Sequence, residues 1–304
     1  MLEENRNNLK LLKDKLEIDI IEKYFHIAKL FTITLMGICC CAIITYIILQ
    51  SLLIFDIILS LNESYSYRFI FITEYFVNQE KYTYAIFLHH ILAISVAIVA
   101  LCSTGSTLFA SAMNACALLN IASYRVENAI KWNILVIPSP TREYLLYRRL
   151  VHAVTLHRKA IEFTKYFSSE FAVSFLILII VGVISLSLSL FQFLQVITLT
   201  NNIIELILFS FLILVHLVYM FITNYTGQVI TDIGIKLFKA TYNGLWYVAP
   251  LHTQKILLFI LQNGTVNIHL TCGRLFTASL EGFAAVKLKV FSKTKYIYTY
   301  NKLI

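Results

Sequence analysis

Charge is what this chain lacks. Only 14% of its 304 residues are Asp, Glu, Lys or Arg, against 59% hydrophobic, whereas an ordinary soluble domain is about a quarter charged. Four windows, 30–55, 82–124, 171–204 and 206–231, contain no charged residue. Each is long enough for a helix rising about 1.5 Å per residue to cross a hydrocarbon core of about 30 Å. The mean hydropathy of +0.75 agrees. Prolines number three and glycines nine, and no short regular alternation of apolar and polar residues marks a membrane β-barrel, so the spans are helical. The expected class is all-α, a polytopic membrane protein.

Cysteine is sparse too. Cys39, Cys40, Cys41, Cys102 and Cys116, five of the six, fall inside uncharged windows, where they read as small apolar packing residues rather than a disulfide framework. Adjacent thiols on a helix point in different directions, so Cys39–Cys41 implies no metal site. Walker, GxSxG and HExxH motifs are all missing, and the expectation is no enzyme, no cofactor and no nucleic-acid partner. The first thirty residues are charged rather than apolar, so no cleavable signal peptide is read there.

What is present organises into segments. Residues 1–30 interleave Arg6, Lys10, Lys13, Lys15, Lys23 and Lys29 with six acids, while Leu9, Leu12, Leu16, Ile20 and Tyr24 recur at helical spacing. This predicts a cytoplasmic amphipathic helix. A transmembrane bundle follows over 31–231, with spans at about 31–56, 83–122, 170–196 and 203–226. The second window reads as one long helix rather than a hairpin turning at Ser103-Thr104-Gly105-Ser106. Its flanking loops carry two basic residues in 57–82 and eight in 125–167, and Lys and Arg favour the cytoplasmic side. Thr200-Asn201-Asn202, with Glu205 just beyond, marks a hairpin. Asp232 and Lys236 are spaced for a helical ion pair, and 232–272 reads as cytoplasmic helices. A last stretch, 273–304, makes a fifth crossing. This order places the sequon at Asn62 outside, as the glycosylation candidate, and those at Asn224 and Asn263 inside.

Tyr242, Trp246 and Pro250, then Lys255-Ile256-Leu257-Leu258, Leu270-Thr271-Cys272-Gly273 and Ala278-Ser279-Leu280-Glu281-Gly282-Phe283 form a series that resembles the C-terminal signature of insect odorant receptors. Upstream, the segment from Glu74 to Tyr82 is similar to the one before the fourth span of ant and bee receptors. Ile121 to Glu127 resembles that span's cytoplasmic exit, His157 to Phe163 the motif before the fifth, and residues 18–34 the intracellular run before the third. The resemblance covers about residues 5–285.

It implies an odorant-receptor-like helical bundle with about five of the family's seven spans, the chain opening in the loop after the second. It further implies an odorant-gated nonselective cation channel subunit for olfactory transduction. Such a subunit assembles with the odorant co-receptor as a heterotetramer, in the plasma membrane of an olfactory neuron's dendrite, and senses a small volatile odorant. A non-conducting fragment of such a receptor is the alternative, and a G-protein-coupled receptor a distant third.

In the family the odorant pocket lies between spans in the outer half of the membrane. The positions that fit are Tyr46 and Gln50, then Phe87, His90 and Ile94, then Gln192 and Phe209. Helix–helix packing is the alternative role for each. Gln50 and Gln192 stand out because a buried amide needs partners. His89 and His90 diverge by about 100° on a helix, so at most one faces a pocket. The family's subunit anchor falls on Tyr242, Trp246, Pro250 and Leu257, with both aromatics on one helix face. Gly273 is the expected bend before the pore helix that carries Ser279 and Phe283.

The end departs from the family. Five lysines and no acid follow Ala285. A lysine near the bilayer centre costs about 2.5–3.5 kcal/mol, and one facing a lumen repels cations. Residues from about 286 are expected to be translated intron, since Val286-Lys287 encoded as GTA-AAA begins like a splice donor. A divergent genuine terminus is the other reading.

Overall fold

The computed structural model describes residues 15–59, 75–77, 81–130, 138–200, 203–265, 271–272 and 276–303. The uncharged windows fall within long helices, α1 Lys15–Leu59, α2 Thr83–Ala129, α4 Ala172–Gln195 and α5 Ile203–Asn243, and the charged stretch between the second and third windows forms α3 Ser139–Glu170. A π-helical turn Val196–Thr200 extends α4. After α5 come a 3-10 turn Trp246–Val248, α6 Leu251–Thr265, a two-residue antiparallel pairing of β1 Thr271–Cys272 with β2 Phe276–Thr277, and α7 Leu280–Leu303. Asn62, Gly273 and the Asn201-Asn202 turn lie outside the described residues.

Four helical stretches are long and apolar enough to cross a membrane among the described residues: Lys15–Leu52, Thr83–Ala129, Ala172–Thr198 and Glu205–Asn243. α7 is not one of them, because Lys287, Lys289, Lys293 and Lys295 interrupt it. It nevertheless runs through position 286 without a break. α2 likewise continues through Ser103–Ser106. There the Thr104 hydroxyl donates to Ala100 O at 2.9 Å and Ser106 to Cys102 O at 2.8 Å, so these side chains are satisfied by their own helix instead of turning it.

The chain divides into two units, His26–Ala110 and Met1–Phe25 with Ser111–Ile304. In the first, Phe31 stacks on Phe109 with ring centroids 4.0 Å apart, and Cys102 Sγ lies 3.3 Å from Met36 Sδ.

In the second, Leu119, Ala122, Leu146, Leu150, Leu237 and Ile260 form a core shared by α2, α3, α5 and α6. A smaller cluster joins α4, α5 and α7 through Leu186, Leu190 and Val290. The Arg125 guanidinium grips the buried Glu17 carboxylate with Nε–Oε1 at 2.5 Å and Nη2–Oε2 at 2.8 Å. His216 bridges α4 and α5, with Nε2 2.9 Å from Ser185 Oγ and Nδ1 2.7 Å from Leu212 O.

Two expectations change here. Lys236 Nζ donates to Asn120 Oδ1 at 3.1 Å, while Asp232 Oδ1 accepts from Gln228 Nε2 at 2.9 Å. Each thus has an amide partner, and no Asp232–Lys236 pair forms. Tyr242 and Trp246 do not share a helix face, because α5 ends at Asn243, just before Gly244. The Trp246 indole instead folds back and donates to Tyr242 O at 3.0 Å, satisfying a terminal carbonyl that the helix leaves open.

Candidate functional site

Gln50 is the most informative polar residue of the first unit. It sits on α1, fully buried at 0% exposure, and neither its Nε2 nor its Oε1 has a hydrogen-bond partner. A buried amide left unpaired costs about 1–3 kcal/mol, and native structures contain few such groups. One helical turn earlier stands Tyr46. The Tyr75 hydroxyl is 2.7 Å from His89 Nδ1, and its ring lies 5.6 Å from the His89 ring and 6.0 Å from that of His90. His90 is buried on α2, with Phe87 and Ile94 half-buried about one turn to either side.

Five of the seven expected pocket residues thus fall in this unit, and Tyr75 lies against the histidine pair. Tyr75 and His89 are not among the pocket positions that the sequence nominates. Their signal is an aromatic in the segment ahead of α2, whose second turn ends in two adjacent histidines. Gln192 and Phe209 belong to the other unit. Gln192 is exposed on α4, so the argument from a buried amide applies to Gln50 and not to Gln192. Among the described residues no group of His, Cys, Asp and Glu has the arrangement of a metal site.

A second polar constellation sits where α7 starts against α5. Ser279 caps α7, its Oγ accepting from Gly282 N at 3.0 Å, the usual role of a serine that satisfies an orphan donor. Ser279 N in turn donates to Asn224 Oδ1 at 3.2 Å, and Leu280 N to Gln228 Oε1 at 3.5 Å. Asn224 is 4% exposed, and its Nδ2 donates to Met220 O at 2.8 Å. Burial in a helix leaves that asparagine no room to accept a glycan.

Between the two amides lies Gly227, where a Cβ would collide with the carbonyl oxygen and Cβ of Ala278. Phe283 packs edge-on against Phe221 with centroids 5.7 Å apart. Farther along, Val286 and Val290 face α4 and α5, and the Tyr298 hydroxyl meets that of Thr198. Lys287, Lys289, Lys293 and Lys295 are all exposed. The sequence nominates Ser279 and Phe283 but not Asn224, Gly227 and Gln228. Their signal is two amides at helical spacing flanking a glycine in α5.

The four anchor positions separate. Tyr242 is 61% exposed and Trp246 is exposed beside it, while Pro250 is half-buried. Leu257 is buried in its own chain's core. It therefore fastens α6 from within and offers no side chain to a partner. Outside the spanning helices, burial on α3 holds the His157 imidazole below its ordinary pKa, since desolvation disfavours the charged form.

The comparisons with known proteins agree with this architecture. The insect olfactory receptor OR5 from Machilis hrabei in complex with eugenol superposes with a TM-score of 0.67 at 14% identity, over 92% of this chain and 69% of that one. A second structure of the insect olfactory receptor OR5 from Machilis hrabei gives a TM-score of 0.65 at 11% identity, over 92% of this chain and 68% of that one. Likeness at that identity establishes the membrane-spanning helical fold. No curated protein matches. The profile of the 7tm Odorant receptor family matches residues 2–288, and the chain belongs to that family, one of receptors rather than enzymes.

Proposed function

We propose that this chain is an odorant-binding subunit that gates a nonselective cation channel together with the odorant co-receptor, as a multi-pass protein of the plasma membrane with a cytoplasmic N-terminus. The observation that carries the reading is the family match over residues 2–288. The odorant lies against Tyr46, Gln50, Phe87, His90 and Ile94, and its binding favours one arrangement of α7 over another, a shift of populations without chemistry. α7 starts at the Ser279 cap and carries Phe283, the entrance to the pore helix. The exposed Tyr242 and Trp246, with Pro250 beside them, meet neighbouring subunits.

The test is co-expression with the co-receptor in a cell lacking other odorant receptors, and recording of current under an odorant panel. An odorant-evoked cation current that is absent with either chain alone is expected. Silence under every odorant, with both chains at the cell surface, would sink the channel reading.

A further inference from the structure

We propose that the site at Gln50 selects odorants carrying a hydroxyl group, and discriminates against hydrocarbons and against acceptor-only groups such as ethers and ketones. The inference rests on the reading of this cluster as the odorant site and adds the class of ligand. Its basis is the state of one side chain. Gln50 is completely buried, and both ends of its carboxamide are without a partner. Nε2 has a proton to donate and Oε1 a lone pair to fill.

A ligand hydroxyl completes both at once, accepting from Nε2 and donating to Oε1. An ether or ketone oxygen accepts from Nε2 and leaves Oε1 bare, and an alkane leaves both ends bare. The other positions of the proposed site fit a molecule that is apolar apart from this one group. Phe87 and Ile94 lie on the α2 segment that carries the buried His90, and Tyr46 precedes Gln50 by one turn. A few placed polar groups in an apolar lining are the usual composition of a small-molecule site. Sites built to hydrogen-bond a hydroxyl reject the analogue lacking it far more strongly than an apolar pocket rejects a missing methylene.

The experiment uses the full chain in detergent and reads thermal melting with primary alkanols from butanol to decanol, their methyl ethers and the matched alkanes. Gln50→Met, close in shape, and Gln50→Leu are melted beside the wild type. The best alkanol is expected to stabilise the wild type at concentrations at least about tenfold lower than its alkane, with the ether between them. Both variants are expected to lose that preference while melting no lower than the wild type without ligand.

The proposal is overturned if alkanes match alkanols, if no alkanol shifts the wild-type melt, or if the variants melt lower and keep the preference. Currents with the co-receptor are read separately. Melts that discriminate in a chain that stays silent sink the channel reading alone. Odorant currents with no alkanol preference sink this inference alone.

Discussion

Gln50 and Asn224 are both carboxamides buried in apolar helices, at 0% and 4% exposure, and they are in opposite states. Asn224 uses both ends, donating to Met220 O and accepting from Ser279 N. Gln50 uses neither. The same functional group therefore serves two purposes. Where both ends are occupied by the chain, the amide fixes one helix to another. Where both are empty, it pays a standing energetic cost that only something from outside can relieve.

The largest effect is expected at the paired end. Gly227→Val pushes a branched side chain into Ala278 and should cost about 3 kcal/mol, detaching α7 from α5. Limited trypsinolysis checks this, because the exposed lysines of α7 are cleaved only once the helix that carries them comes loose and unwinds. Asn224→Leu should cost about 2 kcal/mol by stranding Ser279 N, while Asn224→Asp, which keeps the acceptor, costs less. Melting in detergent measures both, and equal melts for Leu and wild type would break the comparison. At the empty end the sign reverses. Gln50→Met removes an unpaired amide and should leave the unliganded protein unchanged or more stable by about 1 kcal/mol.

The smallest effect is a control lying outside both sites. His157 has a folded-state pKa below its unfolded value, so the unfolded state takes up the proton first. Stability is therefore retained above about pH 6.5 and declines as the pH falls below the unfolded pKa. The expected loss is under about 1 kcal/mol at pH 6. A His157→Gln chain should show a flatter pH dependence of its melting temperature over pH 5–7.

The class of fold was legible because exclusion of charge over twenty or more residues has few physical meanings. The extents of the helices were less so. The amphipathic start and the first span read as separate segments, yet α1 runs through both from Lys15, since no proline or glycine divides Lys15 from Leu30. At the candidate site, Gln50 was readable from its residue type within an apolar window, but the same rule nominated Gln192, which is exposed. Periodicity reports that a helix has faces and not which face a distant helix will cover. The docking of α7 onto α5 was invisible for a related reason, since Asn224 and Ser279 are 55 positions apart and nothing local to either announces the other.

The Glu17–Arg125 pair carries a consequence for how the chain is made. Its partners are 108 positions apart. At about 5–20 residues per second, a ribosome delivers the arginine roughly 5–20 s after the glutamate. Throughout that interval the carboxylate has no guanidinium to enter the protein with, and a charge unpaired in an apolar interior is expensive. The start of α1 must therefore wait in water until the far end of α2 emerges, and the arrival of Arg125 sets the earliest moment at which it can dock.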